Sequence, residues 1–127
     1  CLVVSDRIAQ GRGLAILGGA TLGGTPEEPG LAPVAAIRRI WRGEALQQAE
    51  IMEAYAVQAL AVIDGAGIDP SCVNPAGGGL ARGHPIGASG AILAVRLFHG
   101  LRQGKGLAAI AAAGGIGTAL LVDRSGA

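Results

Sequence analysis

The chain has 127 residues, a net charge of +1, and 15% charged against 50% hydrophobic side chains. That length fits one domain, and that apolar content excludes an intrinsically disordered chain. Aromatics at 2% and a near-neutral charge exclude a base-stacking or phosphate-backbone nucleic-acid module. Glycine fills 23 positions with no collagen-like period, so these glycines mark turns and close backbone approaches.

The chain opens on Cys1, and Leu2 to Val4 reads as a short strand. That pattern favours a piece of a longer chain over a lipid-modified terminus. Ser5-Asp6 ends the run, and a helical turn follows over 6–10. Gly13 to Ala20 is a second apolar run bounded by glycine, which predicts a strand. Gly23 to Gly30 carries the turn chemistry of a loop. Pro33 suits a first helical turn, and Val34, Ile37 and Trp41 follow at helical spacing with Arg38, Arg39 and Arg42 on the other side. That helix ends near Gly43, and Gln47 to Ile51 reads as a short strand.

Glu53 to Ile63 is Ala-rich without internal Gly or Pro, which predicts a helix closed by Asp64-Gly65 and Gly67. Asp69-Pro70 starts a turn, and Asn74 to Gly90 is a long glycine-rich loop. A helix follows from Ala91 to Gly104, with Leu93, Leu97 and Leu101 on one face. Leu107 to Ala113 has helical composition, but glycine at both ends and a following β-branched run favour a strand. The turn Gly114-Gly115-Ile116-Gly117 then leads into a last strand, Thr118 to Val122.

The alternation of strand and helix predicts an α/β fold. Its expected form is a small mixed, mostly parallel sheet with helices on both faces and an antiparallel terminal hairpin. Gly106 to Val122 carries no charge, but it falls short of the ~20 residues of a membrane span and is broken by glycines. No signal-peptide pattern is visible at the start. Cys1 and Cys72 with His84 and His99 do not make a metal site, and the cysteine usage reads as a reducing, cytoplasmic setting.

His84 is the foremost candidate for chemistry. Pro85 pushes it toward extended backbone, Gly83 lets other backbone approach, and Ser89 or a neighbour opens the next helix. An imidazole so placed suits general acid/base work or oxyanion stabilisation, and equally suits a loop histidine satisfying its own turn. Gly114 to Gly117 is first a hairpin turn whose amides are also able to donate to a reacting oxygen. Nothing near Cys72 in sequence would lower its pKa. Glu50 and Glu53 make either a carboxylate pair near a helix start or, more commonly, a helix-dipole contact. His99 reads as a surface residue, and Trp41 and Tyr55 as packing residues.

Together these motifs resemble the C-terminal domain of thiolases, the acetyl-CoA acetyltransferases and 3-ketoacyl-CoA thiolases. Val73-Asn74-Pro75-Ala76-Gly77-Gly78-Gly79 and Gly83-His84-Pro85-Ile86-Gly87-Ala88-Ser89-Gly90 look like that family's signature loop. Glu50-Ile51-Met52-Glu53-Ala54-Tyr55 resembles its Glu-x-Asn-Glu-Ala-Phe element. Gly106-Leu107-Ala108 through Gly117 resembles the final strand and glycine turn, and Leu2 to Ser5 the opening strand. The resemblance covers nearly the whole chain, 1–127, with the motifs in the family's order.

The resemblance implies a thiolase-like C-terminal half acting on acyl-CoA or 3-ketoacyl-CoA thioesters through an acyl-cysteine, with no cofactor. The nucleophilic cysteine would come from an N-terminal half absent here. His84 matches the histidine that accepts that cysteine's proton and lines an oxyanion hole. Backbone N–H groups at Ala113 and Gly114 match a second oxyanion hole. The family's second cysteine is replaced by Ala111, its alternative position by Ala54, and the water-holding Asn by Met52. Ala113 stands where the terminal run has its first glycine, and the segment between Arg39 and Glu50 is shortened.

Loss of a general base costs roughly 10²–10⁴ in rate. Loss of an oxyanion-hole element costs about 10²–10³. The isolated chain is therefore expected to be inactive. Two readings follow: an acyltransferase domain completed by an N-terminal half or a partner subunit, or an inactive thiolase-like domain for structure, assembly or acyl-CoA binding. Both imply an exposed apolar face and a homo-oligomer or partner.

Overall fold

A computed structural model of the chain describes residues 2–124. The elements are α1 (Asp6–Ala9), β1 (Ala15–Gly23), α2 (Ala32–Ile40), β2 (Leu46–Ile51), α3 (Ala56–Ala66), α4 (Gly79–Arg82), α5 (Ser89–Gly100), β3 (Lys105–Ala112) and β4 (Ile116–Asp123). Short 3-10 turns lie at Pro29–Leu31 and Pro70–Cys72.

The four strands form one sheet in the order β1-β4-β3-β2. β2 and β3 run parallel, whereas β4 is antiparallel to both β3 and β1. The sheet is mixed and ends in the expected hairpin, but its pairings are mostly antiparallel, which corrects the expected mostly parallel sheet. Alternating strands and helices reveal crossovers, not which neighbour each strand takes. Here β1 lies against the outer side of the hairpin, with Ala15 opposite Asp123 and Gly23 opposite Ile116. Leu2 to Val4 is not a strand; it is exposed and pairs with nothing in the sheet, although its composition suits one.

Period-2 alternation along β3 splits the core in two. Leu107 and Ala109 pack with Ala36, Ile37, Val62 and Leu121 beneath α2 and α3. Ala108 packs with Met52, Leu93, Leu97 and Leu101 beneath α5. Helices thus cover both faces. Small side chains set the spacing: a Cβ on Gly117 would lie 2.2 Å from the backbone of Ala32, so α2 seats directly on β4. Arg38 ties α2 to α3 by donating to the Gly65 carbonyl at 2.6 Å.

α2 ends where Trp41 turns extended and sends its indole N–H to the Glu44 carbonyl at 2.9 Å. Glu44 then pairs with Lys105 at 2.9 Å, linking the loop before β2 to the start of β3. α3 begins three residues later than its composition predicts, because Glu53 is engaged with the loop opposite. It closes at Gly67, in left-handed conformation, whose N–H reaches back to Ile63 and Asp64. Tyr55 is 72% exposed rather than packed, whereas Trp41 is buried as expected.

Candidate functional site

Four chain segments meet beside the start of α5: the end of β2, the loop from Asn74, α4, and the turn through His84. Asn74 is the first anchor. It sits at φ 46 and mimics a strand partner for Ile51, accepting from its N–H at 2.9 Å and donating to its carbonyl at 2.9 Å. The same amide donates to Glu53 Oε1 at 2.6 Å, and Glu53 Oε2 accepts from the Leu80 N–H at 3.0 Å. One carboxylate therefore fastens the loop and the first turn of α4 to the end of β2.

Glycine lets the loop press this closely. A Cβ on Gly78 would lie 2.2 Å from the Glu53 carboxylate, and one on Gly79 would lie 2.6 Å from Met52 Cε and 3.1 Å from the Glu53 carbonyl. Glu50 is the second anchor. It is fully buried, accepts from Gln48 at 2.7 Å, and pairs with Arg96 of α5. Arg96 also donates to the Gly77 carbonyl at 2.9 Å, an oxygen that Arg82 shares at 2.7 Å. Glu50 and Glu53 thus close off β2 rather than open a helix, which corrects both readings of the pair.

His84 follows α4 after Gly83, at φ +94. Its ring is half-buried, and Nδ1 lies 2.7 Å from Oγ of Ser89, the first residue of α5. Residues on either side of it, Gly83, Pro85 and Ser89, line a cavity of about 120 Å3 together with Met52, Gly79 and Arg96. The imidazole is therefore anchored at one nitrogen beside a helix N-terminus, as its neighbours in sequence imply. Met52, where the resemblance implies Asn, is buried in the wall of that cavity and brings only a thioether.

Ala113 and Gly114 form the exposed tip of the β3–β4 turn, with Gly114 at φ +83. Gly115 is buried, and its carbonyl accepts from the Gly24 N–H at 2.6 Å, which fixes the turn against the loop after β1. None of the turn and loop hydrogen bonds among the described residues uses the amide of Ala113 or Gly114. Ala111 lies half-buried near the end of β3.

The remaining candidates stand elsewhere. Burial, and then the nearby Asp69 charge, push the Cys72 thiol up from its ordinary pKa, and its Sγ donates to the Asp69 carbonyl at 3.1 Å. Both effects oppose a nucleophilic thiolate. Cys1 lies outside the described residues. His99 is exposed and meets the Phe98 ring edge-on at 5.3 Å. No group of His, Cys, Asp and Glu able to hold a metal ion occurs among the described residues. No helix there is long and apolar enough to cross a membrane.

Sequence reasoning passed over Ser89 and Arg96 as functional positions. They stand two helical turns apart on one face of α5, where Arg96 is the single Arg or Lys.

Residues 13–124 match the family model for the thiolase C-terminal domain. The chain is 42% identical to an acetyl-CoA acetyltransferase of Shinella zoogloeoides over 96% of its length and 34% of that protein. It is 44% identical to an acetyl-CoA acetyltransferase of Cupriavidus necator over 83% of its length and 29% of that protein. Among solved structures it matches the acetyl-CoA acetyltransferase of Bacillus anthracis with a TM-score of 0.86 at 36% identity, covering 94% of this chain and 33% of that one. A thiolase from Ascaris suum in complex with coenzyme A matches equally, with a TM-score of 0.86 and 36% identity over 94% of this chain and 34% of that one. The chain spans about a third of the length of these relatives. Family model, relatives and structural neighbours all place the chain in the thiolase family, as a thiolase C-terminal domain.

Proposed function

We propose that this domain supplies the C-terminal part of an acyltransferase site for acyl-CoA or 3-ketoacyl-CoA thioesters, completed by an N-terminal thiolase half that brings the nucleophilic cysteine. The observation that carries the reading is the intact turn through His84. Its ring is half-buried and tied at Nδ1, which leaves the other nitrogen for proton transfer.

In this reading His84 takes the cysteine's proton as the thiolate attacks the thioester carbonyl. The carbon–sulfur bond to coenzyme A breaks, and the departing thiolate recovers the proton from His84. The amides of Ala113 and Gly114 donate to the oxygen that becomes negative. Coenzyme A thioesters are substrates here, and no cofactor takes part. The setting is cytoplasmic, in keeping with the unpaired Cys72.

The completing half has apolar surface to cover. α5 packs on β2 and β3, and beside it a concavity of about 440 Å3 is lined by Gly90, Leu93, Ala94, Ala20, Ala108 and Leu120. Ile92, Val95 and Phe98 of α5 are also exposed. These surfaces support a partner half and a homo-oligomer.

A second reading rests on Ala111 and Met52. A methyl group exchanges no proton and a thioether holds water weakly, so the domain would serve structure, assembly or acyl-CoA binding without turnover. One experiment separates the two. The chain is assembled with a thiolase N-terminal half, and acyl-cysteine formation from acyl-CoA is followed by mass spectrometry. The acyltransferase reading expects acylation that His84→Ala slows by roughly 10²–10⁴. Acyl-CoA binding without acylation, even in the Ala111→Cys, Met52→Asn variant, supports the second reading.

A further inference from the structure

A short chain of polar atoms runs from the His84 ring to the backbone. Nδ1 lies 2.7 Å from Ser89 Oγ, and Oγ lies 3.1 Å from the Pro85 carbonyl oxygen. Ser89 is 3% exposed, so water does not compete for its hydroxyl. The carbonyl is held in place by the N–H groups of Ala88 and Ser89, at 2.8 and 3.0 Å.

A serine hydroxyl has one proton, and a neutral imidazole has one N–H and one bare nitrogen. Only one arrangement makes both contacts hydrogen bonds: Nδ1–H donates to Oγ, and Oγ–H donates to the Pro85 carbonyl. In the reverse arrangement the hydroxyl proton points at a bare Nδ1. Two lone-pair-bearing oxygens then face each other with no proton between them. The favoured arrangement also uses the ordinary back-bond of a helical serine to the carbonyl four residues earlier. Its two bonds polarise each other in the same sense.

From this we infer that Ser89 is a positioning residue that fixes neutral His84 as its Nδ1–H tautomer, leaving the Nε2 lone pair as the proton acceptor. The catalytic use of that lone pair rests on the proposed acyltransferase reading; the tautomer itself does not. Ser89 settles which nitrogen works without adding a charge. After proton uptake the Nδ1–H remains on Oγ, and the new Nε2–H is the one able to donate to a substrate oxygen.

The test is nitrogen NMR on the chain with 15N-labelled histidine, above the ordinary imidazole pKa of about 6.5. His84→Ala assigns the signals, and exposed His99 gives the pattern of an unconstrained ring. The expected result is a protonated Nδ1 and a bare Nε2 for His84. Ser89→Ala shifts His84 toward the His99 pattern, and Ser89→Thr, which keeps the hydroxyl, preserves Nδ1–H. A proton on Nε2 in the unmodified chain overturns the inference, and so does a folded Ser89→Ala chain with an unchanged tautomer. Should Ser89→Ala fail to fold, the unmodified chain decides alone. An Nδ1–H tautomer together with acyl transfer indifferent to His84→Ala would remove the proposed function and leave this inference standing.

Discussion

Arg96 and Glu50 show how one residue pair shapes the site from beneath. Glu50 has no exposed surface, and Arg96 also donates from Nη2 to the Gly77 carbonyl. Arg96→Met leaves that carboxylate buried and unpaired, a defect that costs about 3–5 kcal/mol. Chemical denaturation should show this loss, and Glu50→Gln combined with Arg96→Met should recover much of it, because the double variant buries no charge. Equal stability of Arg96→Met and the unmodified chain would mean the pair does not hold the loop. This anchor was illegible beforehand: forty-odd residues separate the partners, and an Arg on an apolar helix reads as a solvated side chain until the facing strand is known. His84 was legible because everything that shapes its backbone is local, with Gly83 before it and Pro85 after it. Its partner Ser89 was visible only as a helix start, since a hydrogen bond across a turn depends on how tightly the turn closes.

Elements were easier to recognise than their arrangement. β1, β3 and β4 are short apolar runs with glycine at their borders, and each forms close to its expected place. Strand sense was not available from the same signal, so β1 joined the hairpin antiparallel instead of extending a parallel sheet. The late start of α3 has a similar origin: propensity favours helix from Glu53, but two hydrogen bonds from the opposite loop hold that carboxylate outside it. Leu2 to Val4 has strand composition and no strand beside it, and propensity cannot substitute for a partner.

The junction of β2 and β3 carries a pH dependence. The Lys105 ammonium, helped by backbone N–H groups, lowers Glu44 from 4.5 to about 2. A lowered carboxylate stabilises the fold above its unfolded pKa, and that contribution disappears as pH falls through the folded value. The stability difference between the unmodified chain and Glu44→Gln should therefore be present above pH 4.5 and close toward pH 2. The difference is small, because the pair is exposed and screened by salt. A gap that persists unchanged down to pH 2 would show that Lys105 does not hold Glu44.

At the scale of the whole molecule, the chain spans about a third of the length of its thiolase relatives. Ile16 and Leu17 on β1, Val57 and Leu60 on α3, and Phe98 on α5 are exposed on different sides of the sheet. The family position was legible because the signature turn is local and contiguous. The resemblance further implies polar or reactive groups where this chain has Ala111 and Met52. What no sequence pattern could supply was the placement of Met52 in the wall of the cavity that Ser89 and Pro85 share.

The central claim is that His84 activates a cysteine brought by another part of the thiolase. The most direct measurement is the alkylation rate of that cysteine by iodoacetamide in the assembled protein, with and without His84→Ala. The account predicts a much slower reaction once the imidazole is gone, because the thiol keeps its proton. Identical alkylation rates in the two proteins would contradict it.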